Sequence, residues 1–400
     1  MRMEMESESP KELSSQRNYQ LDRFCRQYLQ LLSDFDYPDE EYLQDESFQE
    51  AIYSRLFEEN ALEYPPPQRY QLKTLKELTR RIENSIHDWE EQVEPVTGIS
   101  DNLMSHLSIL LSTPIPSEAT AAQQQSYVTY TISCLPPVPP APTSLTPQTP
   151  TITILESASL LSGSGTTGLR TWEAALHLST YISLNPHLVS NKTILELGCG
   201  TGFISILCAK YLSAKHVLAT DGSPETLTLM NTSLFLNNLT DAITSTPSQN
   251  AMNKISTCEL SWGHMLPSGE FETFPDFLSS ESPSCSSKSA VGLNQKPLDL
   301  VLAADVIYSP DVIPSLIATL EDLFDLYPAV EVLISSTIRN AETYAIFVVM
   351  CRKKGWTMER VDFEVARRSE QEGPWYGGLG EGIEILWVRN TKGRNENQGV

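Results

Sequence analysis

Four clusters along this 400-residue chain hold residue types at spacings that can do chemistry. The first is Glu196-Leu197-Gly198-Cys199-Gly200-Thr201-Gly202, between an apolar run and a helical pattern. Glycines at such a junction allow a tight turn and let a ligand approach the backbone closely. The dinucleotide fingerprint G-x-G-x-x-G asks for glycine at 203, and Phe203 stands there. No Lys-Ser/Thr pair follows, which excludes a P-loop. The second cluster is Asp221, at the end of the next apolar run, 23 residues beyond Gly198. A carboxylate there accepts hydrogen bonds from two ribose hydroxyls. Together the two describe a nucleoside ligand without a pyrophosphate. The plainer alternative is an αβ turn with a helix cap.

The third cluster is Ala303-Ala304-Asp305-Val306-Ile307-Tyr308, where the strongest apolar run stops. A polar residue at the carboxyl end of a buried strand stands where open α/β sheets keep their active sites. The alternative is that Asp305 caps the turn. D-V-I-Y replaces the N-P-P-Y of enzymes that methylate amide or nucleobase nitrogens, which disfavours DNA-adenine and glutamine acceptors. The fourth cluster is two tryptophans, Trp172 in Gly168-Leu169-Arg170-Thr171-Trp172-Glu173 and Trp262 in Leu260-Ser261-Trp262-Gly263. S-adenosylmethionine fits the nucleoside description. Trp172 would then pack on its adenosine or methionine part, and Trp262 on the adenine. Each tryptophan serves equally well as a core residue.

These residues need a sheet to bring them together. From 166 onward, buried strands (KTILEL, HVLATD, ISTCEL, LDLVLAA, VEVLISST) alternate with helical patterns. That alternation predicts an α/β doubly wound sheet. WTMERVDFEV and GIEILWVRN close the pattern with no helix between them, which predicts an antiparallel edge pair. The α/β domain is expected over 166–390, with a mobile insert at 264–297 and a tail at 391–400. Upstream, residues 1–16 are polar and expected to be a disordered tail. Residues 17–112 predict a small helical domain. One stripe is Leu21, Phe24, Cys25, Tyr28, Leu31 and Leu32, and another is Leu72, Leu75, Leu78, Ile82, Ile86 and Trp89. A third helix is expected over 101–112 with Asp101 as its cap. Residues 113–165 predict a β-hairpin, YVTYTI against TITILES, whose turn is enlarged by a Pro-rich insert at 134–150.

Twenty-eight basic against 51 acidic residues give a net charge of −23. Such a surface repels phosphate, so direct nucleic-acid and anionic-membrane binding are not expected. Between Asp34 and Glu63 there are eleven acids and one base, Arg55. That stretch is a solvated face or a docking face for a basic partner. Seven cysteines without C-x-x-C spacing indicate neither a disulfide framework nor a zinc site, and no metal is expected. The first residues lack the apolar core of a secretion signal, and no apolar run reaches the roughly 18 residues of a membrane helix. A cytoplasmic monomer is expected.

The sequence resembles the seven-strand lysine methyltransferases, and more closely the eukaryotic family that methylates translation elongation factor 2. The matching stretches are TTGLRTWEAALHL (166–178), ILELGCGTG (194–202), LSWG (260–263), AADVIY (303–308) and STIRNAETYAIF (336–347). The resemblance implies a Rossmann-like sheet, S-adenosyl-L-methionine as methyl donor and a protein lysine as acceptor, with elongation factor 2 the suspected partner. By position it implies cofactor contacts from Trp172, Gly198, Cys199, Gly200, Asp221, Trp262 and Ala304, and an active-site role for Asp305 and Tyr308. Competing expectations are another protein lysine, a small-molecule acceptor, or a non-catalytic binding module on the same fold.

Overall fold

The apolar runs that alternate with helices become parallel strands of one sheet. The computed structural model describes residues 10–34, 36–87, 98–117, 124–139, 148–157, 167–239, 254–264, 298–377 and 382–390. Trp89, the tails at 1–9 and 391–400, and the expected insert from 265 to 297 lie outside them. The chain divides into two units. One holds residues 1–133, 153–159 and 372–375, and the other holds 134–152, 160–371 and 376–400.

In the second unit the strands are β3 (Thr193–Leu197), β4 (His216–Asp221), β5 (Ile255–Glu259), β6 (Leu300–Ala304), β7 (Glu331–Thr337), β8 (Trp356–Arg360) and β9 (Ile383–Asn390). Their order across the sheet is β5-β4-β3-β6-β7-β9-β8, with β9 antiparallel to both β7 and β8. The other pairings are parallel. The final antiparallel pair is therefore as expected. The order reverses between β3 and β6, which lie side by side with Leu197 opposite Ala303. Ligands of open α/β sheets bind at such a switch point, beyond the strands' carboxyl ends. All of β3 is buried, so it reads as an apolar run, interrupted by Glu196.

The helices that follow are α6 (Glu173–Leu184), α7 (Phe203–Lys210), α8 (Pro224–Leu236), α9 (Ile313–Leu326) and α10 (Ala341–Lys354). Helix α9 buries Leu316, Ile317, Leu320, Leu323 and Phe324, the i, i+3, i+4 face of a 3.6-residue period. Phe324 meets Trp356 edge-on at 4.9 Å. Caps fix the helix starts: Ser223 accepts the Thr226 N–H, and Asn340 accepts those of Glu342 and Thr343.

The first unit holds α1 (Pro10–Leu29), α2 (Glu40–Leu43), α3 (Glu46–Leu56), α4 (Gln68–His87) and α5 (Asp101–Ser112) around Phe24, Tyr28, Phe48, Ile52, Leu78 and Ile82. Helix α1 starts at Pro10, inside the expected tail, because proline is tolerated in a helix's first turn. It ends at Leu29, before the last two members of the expected stripe, and Leu31 takes a left-handed φ of 56°. Ser100, not Asp101, caps α5: its hydroxyl accepts the Leu103 N–H. The acidic stretch folds into α2 and α3, and many of its acids have partners. Asp36 pairs with Arg23 at 2.5 Å and Asp45 with Arg17 at 3.2 Å, and Glu50 accepts from Asn102 at 2.8 Å. Strands β1 (Gln125–Thr131) and β2 (Thr151–Ser157) pair with each other. Residues 140–147 of the Pro-rich stretch lie outside the described residues. Among the described residues, no helix is long and apolar enough to cross a membrane.

Candidate active site

Strand β3 delivers the chain into the glycine turn at Leu197. Gly198 takes a φ of +68°, and a Cβ there would stand 3.2 Å from the Trp262 ring and 3.3 Å from Val306. Only glycine lets the Trp262 ring and the backbone approach this closely without strain. Next to it, the thiol of Cys199 turns away from solvent onto the Met230 sulfur, 3.5 Å away, and burial raises its pKa well above normal. Cys199 thus walls the turn rather than offering a reactive group. Its backbone N–H donates to the Thr220 carbonyl at 2.8 Å.

Strand β4 ends at Asp221. Its carboxylate accepts the Gly200 N–H and the Ser223 N–H, each at 3.0 Å. Burial raises its pKa, and the N–H groups of Ser223, Gly200 and Gly222 pull it back. Three backbone N–H groups leave this carboxylate, with its roughly four lone-pair sites, capacity for a ligand hydroxyl. Glu196 sits deeper and accepts the Ser205 hydroxyl. Burial pushes its pKa up to about 8, against the pull of Ser205, so it is mostly neutral at pH 7.

On the other side of the switch point, β6 ends at Ala304 and the chain turns at Asp305 with a φ of 52°. Thr337, the last residue of β7, donates its N–H to Asp305 at 2.8 Å and its hydroxyl at 3.2 Å. The Arg339 guanidinium reaches the same carboxylate at 3.4 Å. Burial raises the Asp305 pKa; Thr337 and Arg339 lower it. Tyr308 is 57% exposed on the rim, and burial of its inner part raises its pKa. Trp172 precedes α6, and its indole N–H donates to the Thr167 carbonyl at 3.0 Å. The guanidinium carbons of Arg339 and Arg170 lie 5.0 and 5.7 Å from the centre of its ring. The Thr171 and Thr201 hydroxyls, 2.7 Å apart, fasten this loop to the glycine turn.

One cavity of 670 Å³ joins these groups, and Trp172, Gly198, Cys199, Gly200, Asp221, Trp262, Ala304, Asp305 and Tyr308 all line it. That volume is of the size that holds a nucleoside-sized ligand. A close-approach glycine cradle, a buried carboxylate with spare lone pairs and an aromatic ring are the chemistry a nucleoside asks for, so the residues present fit S-adenosylmethionine. Arg339, which also lines the cavity, carried no assigned role in the sequence. The signal for Arg339 was its place two residues after β7, beyond a strand end like that of Asp305.

The strand order and the switch-point cavity are those of a Rossmann-like methyltransferase. The model of the lysine methyltransferase family matches residues 150–277 and 287–353. Protein-lysine N-methyltransferase EFM3 of Chaetomium thermophilum is 46% identical over 373 residues, covering 93% of this chain and 98% of that protein. Protein-lysine N-methyltransferase EEF2KMT of Homo sapiens is 30% identical over 224 residues, covering 55% of this chain and 59% of that protein. Among solved structures, the methyltransferase domain of bacterial CtHen1 is 14% identical at a TM-score of 0.34, covering 54% of this chain and 97% of that one. The chain belongs to the lysine methyltransferase family, as a protein-lysine N-methyltransferase.

Proposed function

We propose that this enzyme transfers a methyl group from S-adenosylmethionine to a lysine side chain of translation elongation factor 2. One observation carries the chemistry. The Asp221 carboxylate backed by Gly200 and the Asp305–Tyr308 strand end open into the same cavity. Support for the acceptor is the resemblance in the T-T-G-x-x-T-W and R-N-x-E-T stretches, together with the human relative's match. On this reading the protein acts as a cytoplasmic monomer without direct nucleic-acid contact.

Asp221 would hold the ribose hydroxyls, Trp262 would cover the adenine, and the backbone of Gly198, Cys199 and Gly200 would admit the ligand at close range. Ala304 would line the reacting end, and Trp172 would pack on the methionine part. When bound, S-adenosylmethionine supplies a methyl group activated on a positive sulfonium. The chain must then present a neutral amine. With a lysine pKa near 10.4, the neutral form costs roughly 4.6 kcal/mol at pH 7. Desolvation in the cavity offsets part of that cost. Tyr308, exposed on the rim, can receive the ammonium through a cation–π contact worth about 0.5–2 kcal/mol. Asp305 has lone pairs left after Thr337 and Arg339 to orient the amine by a hydrogen bond. Burial raises the Asp305 pKa, but a carboxylate is still far too weak a base to abstract a proton from a lysine ammonium.

The test incubates purified protein and tritiated S-adenosylmethionine with lysate from cells lacking this protein. A single labelled band at the mass of elongation factor 2 is expected, with the lysine then located by mass spectrometry. A band elsewhere discards the acceptor and keeps the class. Turnover of small amines alone would reverse the ranking toward a small-molecule acceptor. No band and no cofactor binding would favour a non-catalytic module.

A further inference from the structure

A protein that methylates lysine must hold a cation and then let it become neutral. Its acids would oppose the second step. Asp305, Tyr308 and Asp311 face the cavity from the β6–α9 segment, Arg170 from the loop before α6, and Asp221 from the end of β4, while Glu173 opens α6 with its carboxylate 3.7 Å from the Arg170 guanidinium. Glu342 stands in the first turn of α10, just past Arg339, while Glu196 on β3 is held mostly neutral by burial. Left to themselves, Asp305, Glu173, Asp311 and Asp221 would stabilise an ammonium and keep its proton on.

Arg339 breaks this pattern. Its guanidinium pairs with Glu173 at 3.3 Å and with Asp305 at 3.4 Å, while its central carbon lies 5.0 Å from the centre of the Trp172 ring. Two carboxylates from different elements and one aromatic ring therefore fix a single cation in the cavity wall. The side chain is 38% exposed and lines the cavity, so its charge stands at the cavity wall. A guanidinium does not deprotonate in proteins, so this charge is permanent at any working pH.

Building on the lysine-transfer reading above, we propose that Arg339 supplies the fixed positive charge that favours the neutral, attacking form of the acceptor amine. The proton leaves to water, and the lone pair it frees forms the new nitrogen–carbon bond as the carbon–sulfur bond breaks. Asp305 and Glu173 hold Arg339 in place and are in turn prevented from trapping the ammonium. A unit charge about 7 Å away, in an effective dielectric of about 40, shifts such an ionisation by about one pH unit. That is tenfold in the neutral fraction.

The experiment measures the initial rate of tritium transfer into the dominant lysate band between about pH 6 and pH 9.5. It uses the full-length protein and the variants Arg339→Gln, Arg339→Lys and Glu173→Gln. Binding of S-adenosylhomocysteine, read by calorimetry, is followed in parallel on each. Arg339→Gln is expected to move the midpoint of the rate profile up by about one pH unit, with the rate recovering toward the alkaline end. Arg339→Lys keeps the charge and should hold the midpoint near that of the wild type. Glu173→Gln removes an opposing charge and should move the midpoint down, which keeps the idea testable if Arg339→Gln does not fold. S-adenosylhomocysteine affinity should change less than threefold in the folded variants. A uniform loss of rate in Arg339→Gln with the midpoint unmoved would overturn the proposal and leave Arg339 a structural brace. So would equal shifts in Arg339→Gln and Arg339→Lys. Absence of any labelled band with the wild type would instead overturn the lysine-transfer reading itself.

Discussion

Thr337 gives both its backbone N–H and its hydroxyl to the carboxylate of Asp305, at 2.8 and 3.2 Å, and so fastens the end of β7 to the end of β6. Asp305 is thus both a wall of the cavity and the clasp that holds that wall's shape. The two roles separate by substitution. Asparagine tolerates the left-handed φ of 52° and can still accept the Thr337 N–H. Asp305→Asn should therefore unfold within about 0.5 kcal/mol of wild type while losing about tenfold in methyl transfer. Asp305→Ala removes the acceptor, strands a buried N–H and pays for the left-handed backbone, so about 2–4 kcal/mol of stability should go. Transfer should fall by about 100-fold or more, with S-adenosylhomocysteine binding retained. Urea unfolding and single-turnover labelling read the two effects. Unchanged turnover in Asp305→Ala would remove this residue from the mechanism.

Asp221 makes a different prediction because its partners are backbone groups. Its oxygens accept the N–H groups of Gly200 and Ser223, so it shapes the glycine turn as well as facing the cavity. Asp221→Ala should weaken S-adenosylhomocysteine binding by about 100-fold, roughly 2.7 kcal/mol. Asp221→Asn keeps one acceptor oxygen and should lose about tenfold. Calorimetry checks both, and affinity within threefold of wild type in Asp221→Ala would mean that this carboxylate holds no ligand hydroxyl.

At Gly202 the backbone has φ +81°, and a Cβ would fall 2.7 Å from Met230 Cγ and 2.9 Å from its Cε. Gly202→Ala should cost about 2–4 kcal/mol, part backbone strain and part overpacking. Met230→Ala alone opens a cavity and should cost about 2–5 kcal/mol. Only the overpacking part is relieved when Met230 is shortened, so the double variant should be more stable than the sum predicts by about 1 kcal/mol. Strict additivity in urea unfolding would show that the cost is all backbone.

Much of the second unit was legible because parallel strands buried on both faces are near-continuous apolar runs. LDLVLAA and VEVLISST announce β6 and β7, and the residues just past the carboxyl ends are marked by where the runs stop. The fastening of those residues to one another was not legible. Nothing in the spacing of Asp305, Thr337 and Arg339 shows that one carboxylate receives two hydrogen bonds and a guanidinium from the neighbouring strand's exit. The start of α1 was missed because polar composition hid a helix that Pro10 can open. The cap of α5 was misplaced by one residue, since Ser100 and Asp101 are both good caps and only the backbone at Ser100, extended at ψ 130°, decides between them.

The clearest pH signature belongs to Glu196. It lies in a strand whose residues are all buried, accepts the Ser205 hydroxyl, and has its pKa pushed up to about 8 by burial. The unfolded value is near 4.5. A pKa raised on folding means the native chain binds this proton more tightly than the unfolded chain. The stabilisation it brings is full below about pH 4.5 and is lost as pH rises through about 8. Between those limits this one group lowers stability by at most about 1.4 kcal/mol per pH unit. Glu196→Gln cannot titrate, yet its amide oxygen can still accept from Ser205. The stability of Glu196→Gln relative to wild type should therefore rise steadily from pH 5 to pH 8, as read by urea unfolding at fixed ionic strength. A difference that stays flat across that range would mean that Glu196 is ionised in the native protein, and the pocket floor would then carry a second charge beside Asp221.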